Sequence, residues 1–243
     1  MDVIEWIPRS DLPPNKTATY PRYTVAYRSE KDDPYRTRIT AGEDRLEYFG
    51  DVTTHTAGME AFKILINSII STPNAKCCTA DISNMYLCSQ LEQPEFVKFK
   101  ISMIPETIIQ HYGLRKLVHK GYVCARIKKA WYGLKQSGKI AHDDLVTQLS
   151  KHGYHKSKYT EGLFTHETRQ IAFTLLVDDF AIKYVDKSDV DHLLICLREK
   201  YSVKVDWDAQ QYIGINLDWD YTNGEVLLSM KDYVQQALKQ FKH

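Results

Sequence analysis

The chain has 243 residues, enough for one large domain or two joined lobes around a real core. Lys plus Arg number 32 against 31 Asp plus Glu, a formal charge of +1, which excludes the strong basic bias of a dedicated nucleic-acid coat. Five cysteines without metal-ligand spacing read as reduced, packed thiols, and neither a signal peptide nor an apolar run of roughly 18 residues points to a membrane.

Residues 1–33 are rich in proline (Pro8, Pro13, Pro14, Pro21) and are expected to be irregular apart from a short strand at 3–7. Segment 35–40 alternates as a strand, with Arg36 and Arg38 on one face and Thr37 and Ile39 on the other. Two guanidinium groups side by side suit phosphate oxygens, although a solvated strand face accounts for them equally. Met59, Phe62, Ile66 and Ile69, widened by Leu65 and Ile70, predict a core helix ending before Thr72-Pro73. Asp81 then follows the small, apolar Cys77-Cys78-Thr79-Ala80, in or at the end of a strand, where a carboxylate is rare without a reason. Weak alternation over 97–101, a short helix over 104–112 and a strand over 122–127 follow. Gly133 permits a tight turn, and Ser137 reads as the N-cap of a helix reaching about residue 151, with Ile140, Ala141, Leu145 and Leu149 buried.

Two β-branched and aromatic runs, 171–177 and 180–185, flank Asp178-Asp179, which predicts a hairpin with both Asp in its turn. Adjacent carboxylates repel unless a cation sits between them, while an ordinary Asp-Asp turn facing solvent is the plain alternative. If the Asp81 strand pairs with this hairpin, three carboxylates converge, enough for two Mg²⁺ ions about 3.5–4 Å apart of the kind used in phosphoryl chemistry. Farther on, Ser188 is the expected cap of a helix over 189–200. Segments 211–217 and 225–229 form a hairpin around Asn223-Gly224, and a last helix starts near 230 and runs to His243.

Three of these stretches, in this order, carry a resemblance. They are Asp81-Ile82-Ser83-Asn84-Met85-Tyr86-Leu87 with Gln93-Pro94-Glu95-Phe96, then Ile127-Lys128-Lys129-Ala130-Trp131-Tyr132-Gly133-Leu134-Lys135-Gln136-Ser137, then Leu175-Leu176-Val177-Asp178-Asp179. Together they resemble the reverse transcriptase region of copia-type LTR retrotransposon polyproteins, with weaker similarity from about Trp6 onward.

The resemblance implies an α+β right-hand polymerase, an antiparallel sheet with helices packed on one face. Fingers would cover about 1–75 and 92–130, palm about 76–91 and 131–229, and the start of a truncated thumb about 230–243, with ribonuclease H and integrase segments as missing neighbours. It implies RNA-directed DNA polymerisation, in which a primer 3′-hydroxyl on an RNA or DNA template attacks the α-phosphate of a dNTP. Asp81, Asp178 and Asp179 would be catalytic and, with the backbone carbonyl of Ile82, would hold two Mg²⁺, or Mn²⁺ in their place. Arg36 and Arg38 would meet the triphosphate, with Arg38 the better match. Lys135 would meet phosphate, Gln136 the nascent base pair or sugar, and the Tyr86 ring the underside of the sugar. Lys200 or Lys204 would protonate pyrophosphate. A cytoplasmic retroelement particle is the implied location. The chain departs from the family at Gly138, Lys139, Ile140 and Ala141, where a Pro, a basic residue, a small residue and a Trp usually follow the Ser, and at Leu176, where Tyr is usual. A catalytically inactive fragment, a non-catalytic nucleic-acid-binding module and a two-metal nuclease fit the same residues.

Overall fold

The computed structural model describes residues 2–27 and 34–241; Met1, segment 28–33 of the proline-rich stretch and residues 242–243, where the last helix is expected to end, lie outside the described residues. The chain opens with β1 (Ile4–Ile7), β2 (Pro21–Tyr27), β3 (Tyr35–Ala41), α1 (Met59–Ile70), β4 (Lys76–Ser83) and β5 (Gln90–Lys100). It continues with α2 (Glu106–His111), β6 (Tyr122–Lys129), α3 (Ser137–Lys151), β7 (Tyr154–Lys156), β8 (Leu163–His166), β9 (Ile171–Leu176) and β10 (Asp179–Tyr184). It closes with α4 (Lys187–Arg198), β11 (Ser202–Asp206), β12 (Gln211–Tyr212), β13 (Ile215–Asp220), β14 (Glu225–Ser229) and α5 (Lys231–Gln240). These elements form two compact units, one of Met1–Thr54 and Tyr86–Asp144, the other of His55–Met85 and Leu145–His243. The architecture is α+β, with antiparallel sheets and helices packed against them.

The first unit is built on a three-stranded sheet in the order β1-β6-β5. Alternate residues of β6 (Val123, Ala125, Ile127) join Val97, Phe99, Ile109, Leu114, Trp131 and Leu134 in its core. The antiparallel pair β2–β3 makes a separate ribbon. Strand β2 lies in the stretch expected to be irregular. Pro21 is tolerated because it is the first residue of its strand, in a ribbon with no third strand to receive its missing donor. Register places Arg36 opposite Ala26 and Arg38 opposite Thr24, so the two Arg do share a face, away from Thr37 and Ile39.

The second unit is built on a six-stranded antiparallel sheet in the order β11-β4-β10-β9-β8-β7. Helices on one face only were expected, yet Phe180, Ala181 and Ile182 in succession are fully buried, so the sheet's centre is covered on both faces. Ala181 packs with Cys77 against Phe62, Leu65, Ile66 and Ile69 of α1, while α4 packs against β10 and β11. Unbroken apolar runs such as 171–177 are the mark of strands buried on both sides. The helix α1 spans the expected residues. By contrast, α4 starts earlier than expected, because Asp186 and not Ser188 is its cap, accepting the Ser188 N–H at 2.8 Å. The expected late hairpin is a three-stranded sheet, β12-β13-β14, whose Tyr212, Ile215 and Leu217 join the α1 core. Among the described residues no helix is long and apolar enough to cross a membrane.

Candidate active site

The β9–β10 hairpin pairs Leu176 with Asp179 and turns on Val177-Asp178. The turn is therefore one residue earlier than the expected Asp-Asp turn, and Asp179 is a strand residue. Val177 has φ +59°, with no positive φ at Asp178, the pattern of a turn that favours Gly at its first central position. A β-branched residue there is strained, and the surrounding pairing holds it in place. The Ile82 N–H donates to the Asp178 carbonyl at 3.0 Å, which ties the turn to β4.

Two registers then assemble the site. Asp81 lies directly across the β4–β10 pair from Asp179, and Lys204 lies across the β4–β11 pair from Asp81. Residues directly opposed in an antiparallel pair share a face. Asp81, Asp179 and Lys204 line one groove of about 420 Å³, together with Asp206, Tyr212 and Gly214. Its rim includes the β12–β13 turn, where Ile213 (φ +46°) and Gly214 (φ +83°) are both left-handed. Thus Ile213, a second strained β-branched residue, lines the groove.

Burial first, then the charges of Asp178 and Asp81, push the Asp179 pKa up to about 6. Such a site favours an added cation, and carboxylate oxygens are the hard donors that Mg²⁺ takes. Among the described residues no three His, Cys, Asp or Glu side chains are drawn together tightly enough to hold a metal ion. Lys204 forms no ion pair with either carboxylate among the described residues. Lys200 stands just after α4, its ammonium 5.7 Å from the centroid of the Tyr201 ring. Lys204 therefore belongs to a strand and not to a solvated helix end. The strict alternation Ser202-Val203-Lys204-Val205-Asp206 was a readable signal for that strand.

The remaining expected residues belong to the first unit. The Trp131-Tyr132-Gly133 run acts there as a clamp on β3. The Trp131 ring N–H donates to the Ile39 carbonyl at 2.7 Å, and the Ala41 N–H donates to the Tyr132 carbonyl at 2.7 Å. Gly133 has φ +90°, and a Cβ on it would stand 2.2 Å from the Ala41 carbonyl oxygen, so no other residue fits. The Ser137 hydroxyl accepts from the Trp131 N–H and donates to the Trp131 carbonyl, both at 2.8 Å. Tyr86 stacks on Tyr132, with centroids 4.8 Å apart and planes 20° apart. Gln136 is only 5% exposed and donates to Glu95 at 3.4 Å, while Lys16 pairs with Glu95 at 3.6 Å. The side chain of Lys135 is exposed. Ala141 is fully buried, so the start of α3 packs closely on the small residue that stands where the family has Trp.

The description Reverse transcriptase (RNA-dependent DNA polymerase) matches residues 23–243. The chain is 24% identical over 163 residues to a transposon Ty5-1 protein of Saccharomyces cerevisiae, covering 65% of this chain and 47% of that protein. It is 36% identical over 96 residues to the retrovirus-related Pol polyprotein from transposon RE2 of Arabidopsis thaliana, covering 39% of this chain and 6% of that protein. The chain thus spans less than half the length of either relative. With the match extending over nearly all of its residues, the chain belongs to the reverse transcriptase (RNA-dependent DNA polymerase) family.

Proposed function

We propose that the chain is the nucleotidyl-transfer region of a copia-type retroelement reverse transcriptase, adding dNTPs to a primer 3′-hydroxyl on an RNA or DNA template. One observation carries the reading: in a member of this family, Asp81 and Asp179 are cross-strand partners, and the Asp178 turn is fastened to Ile82. In this reading the second unit is the palm, the first unit is the fingers, and α5 begins a thumb. Asp81, Asp178 and Asp179, with the Ile82 carbonyl, would hold Mg²⁺, which when bound lowers the charge on the attacking and leaving oxygens.

The chain's own groups do the rest. Half-buried carboxylates fix the negative field at the end of the hairpin. Arg36 and Arg38 meet the triphosphate from the β3 face that the Trp131-Tyr132-Gly133 clamp holds. In the same reading Lys135 would meet phosphate, the Tyr86 ring the underside of the sugar, and Gln136, which Glu95 holds, the nascent base pair or sugar. Lys204, already in the groove, is better placed than Lys200 to meet pyrophosphate. A second reading, a non-catalytic nucleic-acid-binding module, would hold primer-template in the same groove without dependence on Mg²⁺.

Extension of an annealed primer with Mg²⁺ or Mn²⁺ separates the two. Asp178→Asn removes charge without bulk and should lower extension by more than about a hundredfold, with duplex affinity nearly unchanged. Duplex binding without extension in the parent chain selects the second reading.

A further inference from the structure

Away from the carboxylates, the second unit carries a groove of about 360 Å³ lined by Lys183, Arg169, His166, Thr165, Thr72 and Gln170, with no acidic residue in its wall. Lys183 lies on the same face of β10 as Asp179, four residues along, or roughly 13 Å at strand rise, with buried Ala181 between them. Its ammonium donates to the Ser68 hydroxyl at 2.7 Å and the Thr72 hydroxyl at 2.8 Å. Both partners are neutral, and an ammonium has three donors. Among the described residues no carboxylate pairs with it, and burial alone, with no neighbouring charge, lowers its pKa.

The opposite wall is preset. His166 accepts the Thr168 and Arg169 N–H groups on Nδ1 (3.1 and 3.2 Å) and donates from Nε2 to the His152 carbonyl (3.0 Å). That pattern orients the ring and holds the turn after β8. Arg169 donates from one terminal nitrogen to Asp189 at 2.9 Å, and its other guanidinium donors make no further side-chain bond among the described residues. A half-buried cation without a counter-ion, facing an oriented guanidinium and threonine hydroxyls, is complementary to a tetrahedral oxyanion.

We propose that this groove binds a phosphate-class oxyanion, supplied by the backbone of a bound nucleic-acid strand. The choice of source rests on the polymerase reading; the oxyanion chemistry does not. The anion takes the third ammonium donor of Lys183 and the outward donors of Arg169, and it supplies the counter-charge that Lys183 lacks.

The test is fluorescence anisotropy of the full chain with a short labelled single strand across a salt series, with inorganic pyrophosphate as competitor. Lys183→Met should weaken binding about tenfold at low salt, the loss of one charge-assisted hydrogen bond. It should also reduce the log–log salt slope by about 0.7, the loss of one phosphate contact on a single strand. Thr165→Glu, an exposed rim substitution that keeps Lys183 and its hydroxyl partners, should weaken binding in the same direction and decides the matter if K183M fails to fold. Parent-like affinity and slope in the folded K183M, or in T165E where K183M does not fold, overturn the proposal. Weaker direct binding of pyrophosphate to K183M, read by calorimetry, with unchanged strand affinity overturns the backbone assignment and leaves a free-anion site. Primer extension run in parallel separates the two readings: a chain that cannot extend yet shows the slope change refutes polymerisation and keeps the groove.

Discussion

Asp179 is a strand residue beside two other carboxylates, and burial with the charges of Asp178 and Asp81 lifts its pKa from 3.8 to about 6. Between those values the folded protein binds more protons than the unfolded chain, so stability falls as pH rises through the window. The penalty is absent below the unfolded value, where both states are protonated, and complete above about 6. Asn at this position carries no charge to penalise. In metal-free buffer Asp179→Asn should therefore be more stable than the parent near neutral pH, by about 1–3 kcal/mol before any loss to solvent screening. The two should converge in acid below the unfolded pKa. Denaturant melts at a series of pH values check this, and parallel profiles for the two proteins would show that the carboxylate cluster exerts no such strain. Added Mg²⁺ should raise the melting temperature of the parent more than that of D179N, because only the parent has the full set of carboxylates to relieve.

Clamping β3 depends on one residue that must be glycine. Any Cβ at Gly133 meets the Ala41 carbonyl oxygen at 2.2 Å, in a backbone conformation that L-residues rarely adopt. Gly133→Ala should cost on the order of 3 kcal/mol, combining overpacking with left-handed strain. It should also free the β2–β3 ribbon from the Trp131 and Tyr132 contacts. Faster hydrogen exchange in β3 than in β6 would locate the damage, and an unchanged melting temperature would mean that the clamp is not needed. The glycine was legible as a turn, but its partner Ala41 was not, because the partner lies far off in the chain. Periodicity marked α1 and the body of α3 well, since an apolar stripe at helical spacing is a local signal. Asp81 in a strand was legible as out of place, while the Asp pair alone fitted an ordinary turn; the family resemblance, and not spacing, brought the three together. Their register was not legible, and the turn fell one residue early because nothing local announces a left-handed Val177. Strand β11 was missed despite its alternation, and with it the partnership of Lys204 and Asp81. Gln136 carried no sign of burial, which depends on Glu95 from β5.

Both units are assembled from separated pieces of chain, and an inner strand of the larger sheet waits for its neighbours. Strand β4 is flanked by β10 and β11, which both come about a hundred residues or more later. A chain ending at Lys151 would contain every segment of the first unit but only α1, β4 and the end of α3 from the second. Its β4 would present two unpaired edges and expose Cys77, Cys78, Ala80 and Ile82, which are all buried in the whole protein. Open apolar edges of this kind are templates for association. A chain ending at Ser229 is the matched control. It loses only α5 and the residues around it, where Tyr233, Val234 and Leu238 are already 64, 51 and 46% exposed and bury little surface. The longer chain should keep the parent's cooperative melt to within about 2 °C, while the shorter one should bind hydrophobic dyes and elute as large aggregates. A soluble, cooperatively melting 1–151 chain would mean that the first unit shields or dispenses with β4, and that the six-stranded sheet is not what holds Asp81 in place.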